Sequence, residues 1–169
     1  MSVAVVDTNV VLVANGQHVG VSPECVKTCA LALQSVMRSG TLALDDGFRI
    51  LREYQSKTQP KKGNRPGDAF VKWALQNRCN AKWVDQVPLV EHDERGFASF
   101  PDDPELANFD VADRKFVAVS GAHPDKPSIA QATDSKWLGW ATALQRHGIG
   151  VVFLCPTDIQ RFHSKKFGS

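Results

Sequence analysis

Four carboxylates fall at positions where a parallel sheet gathers chemistry. Asp7 closes the apolar run SVAVV, Glu53 lies in the helix expected after the run TLAL, Asp113 opens a stretch with Phe116, Val117 and Val119 at helical spacing, and Asp134 closes the run from Ser128 to Thr133. If those runs are strands of one sheet, the four acids land at a single rim, because groups beyond the carboxyl ends of such strands share a crevice. Carboxylates packed together disfavour one another's ionisation unless a cation neutralises them. Hard oxygen donors of this kind suit Mg²⁺ or Mn²⁺. One or two such ions generate hydroxide from water and stabilise in-line displacement at a phosphodiester. Asn9, Asp46 and Asp110 are supporting candidates on the same rim. Each acid alone has an ordinary reading: Asp7 binding loop amides, Asp113 favouring a helix dipole, Glu53 pairing with Arg49 or Lys57 one turn away. The conjunction of all four is what points to metal chemistry.

The elements that must position them can be read from periodicity and punctuation. Ser22-Pro23-Glu24 supplies an N-cap, a first-turn proline and a first-turn carboxylate, followed by Val26, Ala30, Leu33, Val36 and Met37 at helical spacing as far as Gly40. TLAL is a second buried strand, and Asp45-Asp46 lead into a helix through Ile50, Leu51 and Tyr54. Residues 56–67 (SKTQPKKGNRPG) read as an exposed loop, with a helix from Pro66 to Asn77 after it. Ala81 to Pro104 is the least regular stretch, in which KWVDQVPLV fits a strand with a proline at its edge. Asp110 is suited to cap the next helix, which Asp113 opens. A strand over Ser128 to Thr133, a helix from Lys136 to His147 ending at Gly148, the strand VVFLC, and a basic tail frayed or laid on the surface from Arg161 complete the chain. Strands and helices alternating in this way predict an α/β fold, a three-layer α/β/α sandwich around a mostly parallel sheet.

Composition bounds the remaining choices. A chain of 169 residues, 43% hydrophobic and 22% charged, suits one globular domain spanning 1–169. No apolar run approaches the ~20 residues that cross a bilayer, and the start lacks the basic-then-apolar pattern of a signal peptide, so the expected setting is cytoplasmic, away from membranes. Cysteines 25, 29, 79 and 155 are then expected to be reduced. Cys25 and Cys29, one helical turn apart, could begin a metal site, but no second Cys or His pair of short spacing accompanies them, and they read as core thiols. The net charge of +2 conceals a division: residues 49–82 hold nine Lys/Arg against Glu53 and Asp68, whereas 83–113 hold nine acids against Arg95. The basic part, centred on an insertion at about 57–82, with a short basic tail at about 160–169, suits phosphate binding beside an acidic cation site. Lys61, Lys62 and Arg65 are the leading substrate contacts, and Arg161, Lys165 and Lys166 the next candidates. A dehalogenase-type phosphatase is disfavoured by Asn9 where its second aspartate would stand, and neither a phosphate-cradling P-loop nor a nucleophile elbow is present. The scattered histidines read as surface or packing residues.

These blocks resemble the PIN-domain nucleases. VVDTNVVL is similar to their opening, DDGFRILREY to their second strand and helix, DRKFVAVS to the helix of their third carboxylate and ATDSKW to the turn of their fourth, in order from residue 3 to about 155. The resemblance implies a PIN-like fold in which Asp7, Glu53, Asp113 and Asp134 are catalytic metal ligands for Mg²⁺ or Mn²⁺. It also implies an endoribonuclease acting on RNA, of toxin or defence type, with a cognate antitoxin or other regulatory protein and a homodimer as partners. Members often carry a further acid two residues after the fourth carboxylate, and here that position is Lys136, which either contacts substrate phosphate or faces solvent. The stretch 58–108 is longer than in compact members and leaves the substrate open. A non-catalytic nucleic-acid or protein binding module, and a structure-specific DNA nuclease, are the alternative readings.

Overall fold

A computed structural model describes residues 2–168. The chain runs β1 (Val3–Val6), α1 (Thr8–Ala14), α2 (Pro23–Ser39), β2 (Thr41–Asp45), α3 (Arg49–Lys57), α4 (Pro66–Asn77), β3 (Val84–Val87), β4 (Glu91–His92), β5 (Gly96–Phe97), α5 (Arg114–Ala122), β6 (Ile129–Gln131), α6 (Lys136–Arg146), β7 (Val151–Phe153) and α7 (Pro156–Phe167). The main sheet has the order β3-β2-β1-β6-β7, every neighbouring pair parallel, and β4 and β5 form a small antiparallel ribbon. Helices flank the sheet as the expected three-layer sandwich, with α1, α2 and α4 packed on one another and α5 against β1, β2 and β6. The strands are short and apolar because both faces are covered, and Val5, Leu42, Leu44 and Ile129 are wholly buried.

β1 and β6 are adjacent in the centre of the sheet, and this adjacency brings Asp7 and Asp134 to one rim from opposite ends of the sequence. The first strand stops at Val6, and Thr8 and Asn9 already belong to α1, whose N-cap is Asp7. Tyr54, wholly buried on α3, donates its hydroxyl to the Val6 carbonyl and so ties α3 to the end of β1. On β2, Asp45 accepts from the amides of Arg49 (2.9 Å) and Ile50 (3.0 Å) and caps α3, a geometry that places Phe48 at φ 55°.

One expectation is narrowed and another corrected. The tail from Arg161 is not frayed: it is laid on the surface as the second half of α7, which is anchored at its start where Ile159 is buried and Asp158 accepts from the Ser22 amide (2.7 Å) and hydroxyl (2.8 Å). Nor are all four cysteines free thiols. Cys25 in the first turn of α2 and Cys155 before α7 meet with Cα atoms 5.3 Å apart and are joined in a disulfide, leaving Cys29 buried and Cys79 exposed. Proximity across 130 residues, created where the starts of α2 and α7 meet through Ser22 and Asp158, is something sequence spacing does not reveal.

The irregular acidic stretch is organised by one buried cation. Arg114 donates to the carbonyls of Arg95 (3.1 Å), Ala107 (3.0 Å) and Phe109 (3.2 Å) and lies over the Phe100 ring at 4.5 Å. Phe100, Leu106 and Phe109 are buried around it, Phe109 edge-on to Trp137 at 5.0 Å. Among the described residues no helix is long and apolar enough to cross a membrane.

Candidate metal centre

Asp7, Glu53, Asp113 and Asp134 line one cleft of about 620 Å³, together with Thr8, Asn9 and Lys57. Asp7 is held by α1: one carboxylate oxygen accepts from the Asn9 amide at 3.0 Å. The other, Oδ1, is buried without a hydrogen-bond partner. Burial, reinforced by the charges of Asp113 and Asp134, pushes the Asp7 carboxyl up to about 8, against the smaller opposing effects of the Asn9 amide and the Gln131 side chain. Burial likewise pushes Asp113 up to about 6, with Asp134 and Glu53 adding to the rise, and raises Asp134. Asp110, Asp113 and Asp134 each offer an oxygen within 4.8 Å of the others. Carboxylate oxygens gathered this closely fit the chemistry of a divalent cation bound through oxygen. Asp113 and Asp134, with Asp110 beside them, could hold it, and Asp7 lines the same cleft without belonging to that closest group.

Glu53 is already partnered. It accepts from the Thr8 hydroxyl and from Lys115 Nζ at 2.9 Å, not from Arg49 or Lys57. It therefore sits opposite Asp113 with one cation beside it. Asn9 supports the site without facing an ion: its Oδ1 accepts from the Thr133 amide (2.7 Å) and hydroxyl (3.1 Å), tying the start of α1 to the turn that carries Asp134.

The remaining expected residues divide. Asp110 makes no side-chain capping bond and pairs with Lys136 Nζ at 3.0 Å, so Lys136 stands at the edge of the acidic group, half exposed. Asp46 is elsewhere, accepting from the Leu89 amide at 3.3 Å. Lys61, Lys62 and Arg65 do not line the cleft, and Arg65 is engaged with Asp68 at 3.1 Å. The basic groups that do line it are Lys57, Lys165 and Lys166, the last two on α7. His18 and Phe162 line it as well, their rings 5.5 Å apart. Thr8, Lys115, His18 and Phe162 escaped sequence reasoning. Thr8 and Lys115 carried only their nearness to Asp7 and Asp113, and the His18–Phe162 pair carried no signal at all. Comparison with protein-family models, curated proteins and solved structures finds no match to this chain.

Proposed function

We propose that the chain is a Mg²⁺- or Mn²⁺-dependent endoribonuclease, with Asp7, Asp113 and Asp134 as the ion's main ligands and Glu53 beside them. The observation that carries this reading is the gathering of Asp7, Asp113 and Asp134 around one open cleft, where burial and their mutual charge raise the carboxyls. A bound cation of this class supplies an activated water and charge neutralisation at a phosphodiester. Lys57, Lys165 and Lys166 bind the substrate backbone, since lysines around an acidic centre draw a polyanion to groups that would otherwise repel it. Lys115 and Thr8 fix the Glu53 carboxylate toward the cleft, and Asn9 keeps the Asp7 and Asp134 turns in register.

The test is a panel of single-stranded and structured RNAs and DNAs, incubated with Mg²⁺, with Mn²⁺ and with EDTA. RNA is cut in the presence of either ion, cutting stops in EDTA, and Asp7→Asn abolishes it. Cleavage confined to DNA supports the structure-specific DNA nuclease instead. RNA binding without cleavage under any condition supports the binding module.

A further inference from the structure

Far from the acidic cleft, three cysteines meet at the junction of α2 and α7. Cys25 and Cys29 are one turn apart on α2, Cys155 immediately precedes α7, all three are buried, and their sulfurs lie within 4.8 Å of one another. Cys25 and Cys155 share the disulfide, and the Cys29 sulfur stands 3.8 Å from that of Cys155. A disulfide needs only two of these groups. Three thiolates around one ion at a metal–sulfur distance of about 2.3 Å lie roughly 3.8–4.0 Å apart. The Cys29–Cys155 separation already has that value, the Cys25 sulfur lies within 4.8 Å of both, and the Cys25–Cys155 bond must open to reach it.

We propose that Cys25, Cys29 and Cys155 of the reduced chain form a three-thiolate site for one soft d¹⁰ cation of the zinc(II), cadmium(II) or copper(I) class, and that the disulfide is its oxidised, metal-free form. A dithiol reductant donates two electrons and two protons to the Cys25–Cys155 bond, giving two thiols and a cyclic disulfide. A divalent ion then displaces three thiol protons to form three metal–sulfur bonds, leaving one net negative charge. Cys25 in the first turn of α2 and Cys155 at the N-cap of α7 lie where helix dipoles favour a thiolate, whereas burial and the Asp158 charge oppose ionisation of Cys29, so the bound ion must supply the driving force for that proton's loss. Asp158 is not a fourth ligand, because Ser22 and Arg161 occupy its oxygens. A cavity of about 490 Å³, bordered by Ser22, Cys25, Thr28, Cys155 and Asp158, gives the ion an entry path and room for a solvent ligand. The pairing of Cys25 with Cys29, which lacked a second pair in the sequence, thus finds its third donor 126 residues away.

Cadmium(II) titration of dithiol-reduced Cys79→Ser protein tests this, the substitution removing the exposed thiol. Sulfur-to-cadmium ultraviolet absorption should grow to a limit at one equivalent, and the three thiols should become protected from an aromatic disulfide reagent. Air-oxidised protein should bind none. Adding Cys29→Ser or Cys155→Ser should weaken cadmium binding at least tenfold. The proposal is overturned if the reduced protein shows no such absorption, or if Cys29→Ser binds cadmium as tightly as its parent. Should either serine variant fail to fold, the parent alone decides: three thiols that react equally fast with and without cadmium overturn it, and three protected thiols uphold it.

Discussion

Two aspartates buried at either end of α1's neighbourhood behave in opposite ways. Asp68 is wholly buried, yet its oxygens accept from Asn15 Nδ2 (2.9 Å), the Gln59 amide (2.9 Å) and Arg65 Nε (3.1 Å), and these donors hold its carboxyl below the usual range in spite of desolvation. Asp7 is almost as buried, accepts the Asn9 amide with only a minor contribution from the Gln131 side chain, and feels the charges of Asp113 and Asp134, so its carboxyl is driven up. Burial is common to both, and the supply of donors separates them. Asp68 is a structural anion that closes the 58–67 loop onto α1 and α4. Asp7 is an anion kept short of partners, the condition a cation site requires.

Replacing Asp7 is expected to have the largest effect. Asp7→Asn should lower cleavage by more than ~100-fold, beyond the usual loss on removing a ligand's supporting partner. The same change should raise the stability of the EDTA-treated protein in a pH-dependent way. The folded carboxyl titrates near 8, above its unfolded value of 3.8, so the folded state binds the proton more tightly and the wild type loses stability as pH rises between the two. Thermal unfolding should therefore show the variant and wild type alike near pH 4 and the variant ahead, by on the order of a few kcal/mol, at pH 8.5. An equal gap at both pH values would remove Asp7 from the class of destabilised anions.

Asp68→Ala should do the reverse, costing about 3 kcal/mol by leaving a buried amide and a guanidinium unpaired. Here the folded carboxyl titrates below the unfolded value. Its contribution is present above pH 3.8 and fades as pH falls through the folded pKa, so the gap between variant and wild type should close in acid. Denaturant unfolding at pH 7 and pH 3 measures it, and metal-dependent cleavage by the folded variant should persist at low temperature.

The basic groups permit a finer distinction. Lys165→Ala with Lys166→Ala should reduce the salt dependence of single-stranded RNA binding by roughly 1.4 in log–log slope, two phosphate contacts' worth. Lys61→Ala with Lys62→Ala, on a loop that does not line the cleft, should change the slope least and alter stability by less than about 0.5 kcal/mol. Equal slopes for the two double variants would place the RNA path across both surfaces.

Much of this arrangement is legible in the amino-acid sequence. β1 ended with its apolar run, β6 and β7 stopped two residues short of theirs, α4 matched its expected span from Pro66 to Asn77, and the four acids gathered in one cleft because parallel strands deliver their carboxyl ends to one side. What could not be read was pairwise and long-range. Glu53 pairs with Lys115 rather than with its own sequence neighbours Arg49 and Lys57, and α7 carries Lys165 and Lys166 over the cleft because Asp158 binds Ser22. Cys155 finds Cys25 for the same reason. Periodicity reports which face of an element is apolar, and says nothing of which distant element will cover it.

The hold of Arg114 on the carbonyls of Arg95, Ala107 and Phe109 has a consequence for how that part of the chain breathes. A stretch of acids, prolines and short turns would ordinarily exchange its amide hydrogens within seconds and be the first place a protease cuts. Here a single guanidinium joins three separated peptide groups to the start of α5, so none of them opens without the others. Deuterium uptake across 95–110 should therefore rise as one cooperative unit together with the first turn of α5, and limited proteolysis should pass over this segment while the exposed Lys61-Lys62 loop is cleaved.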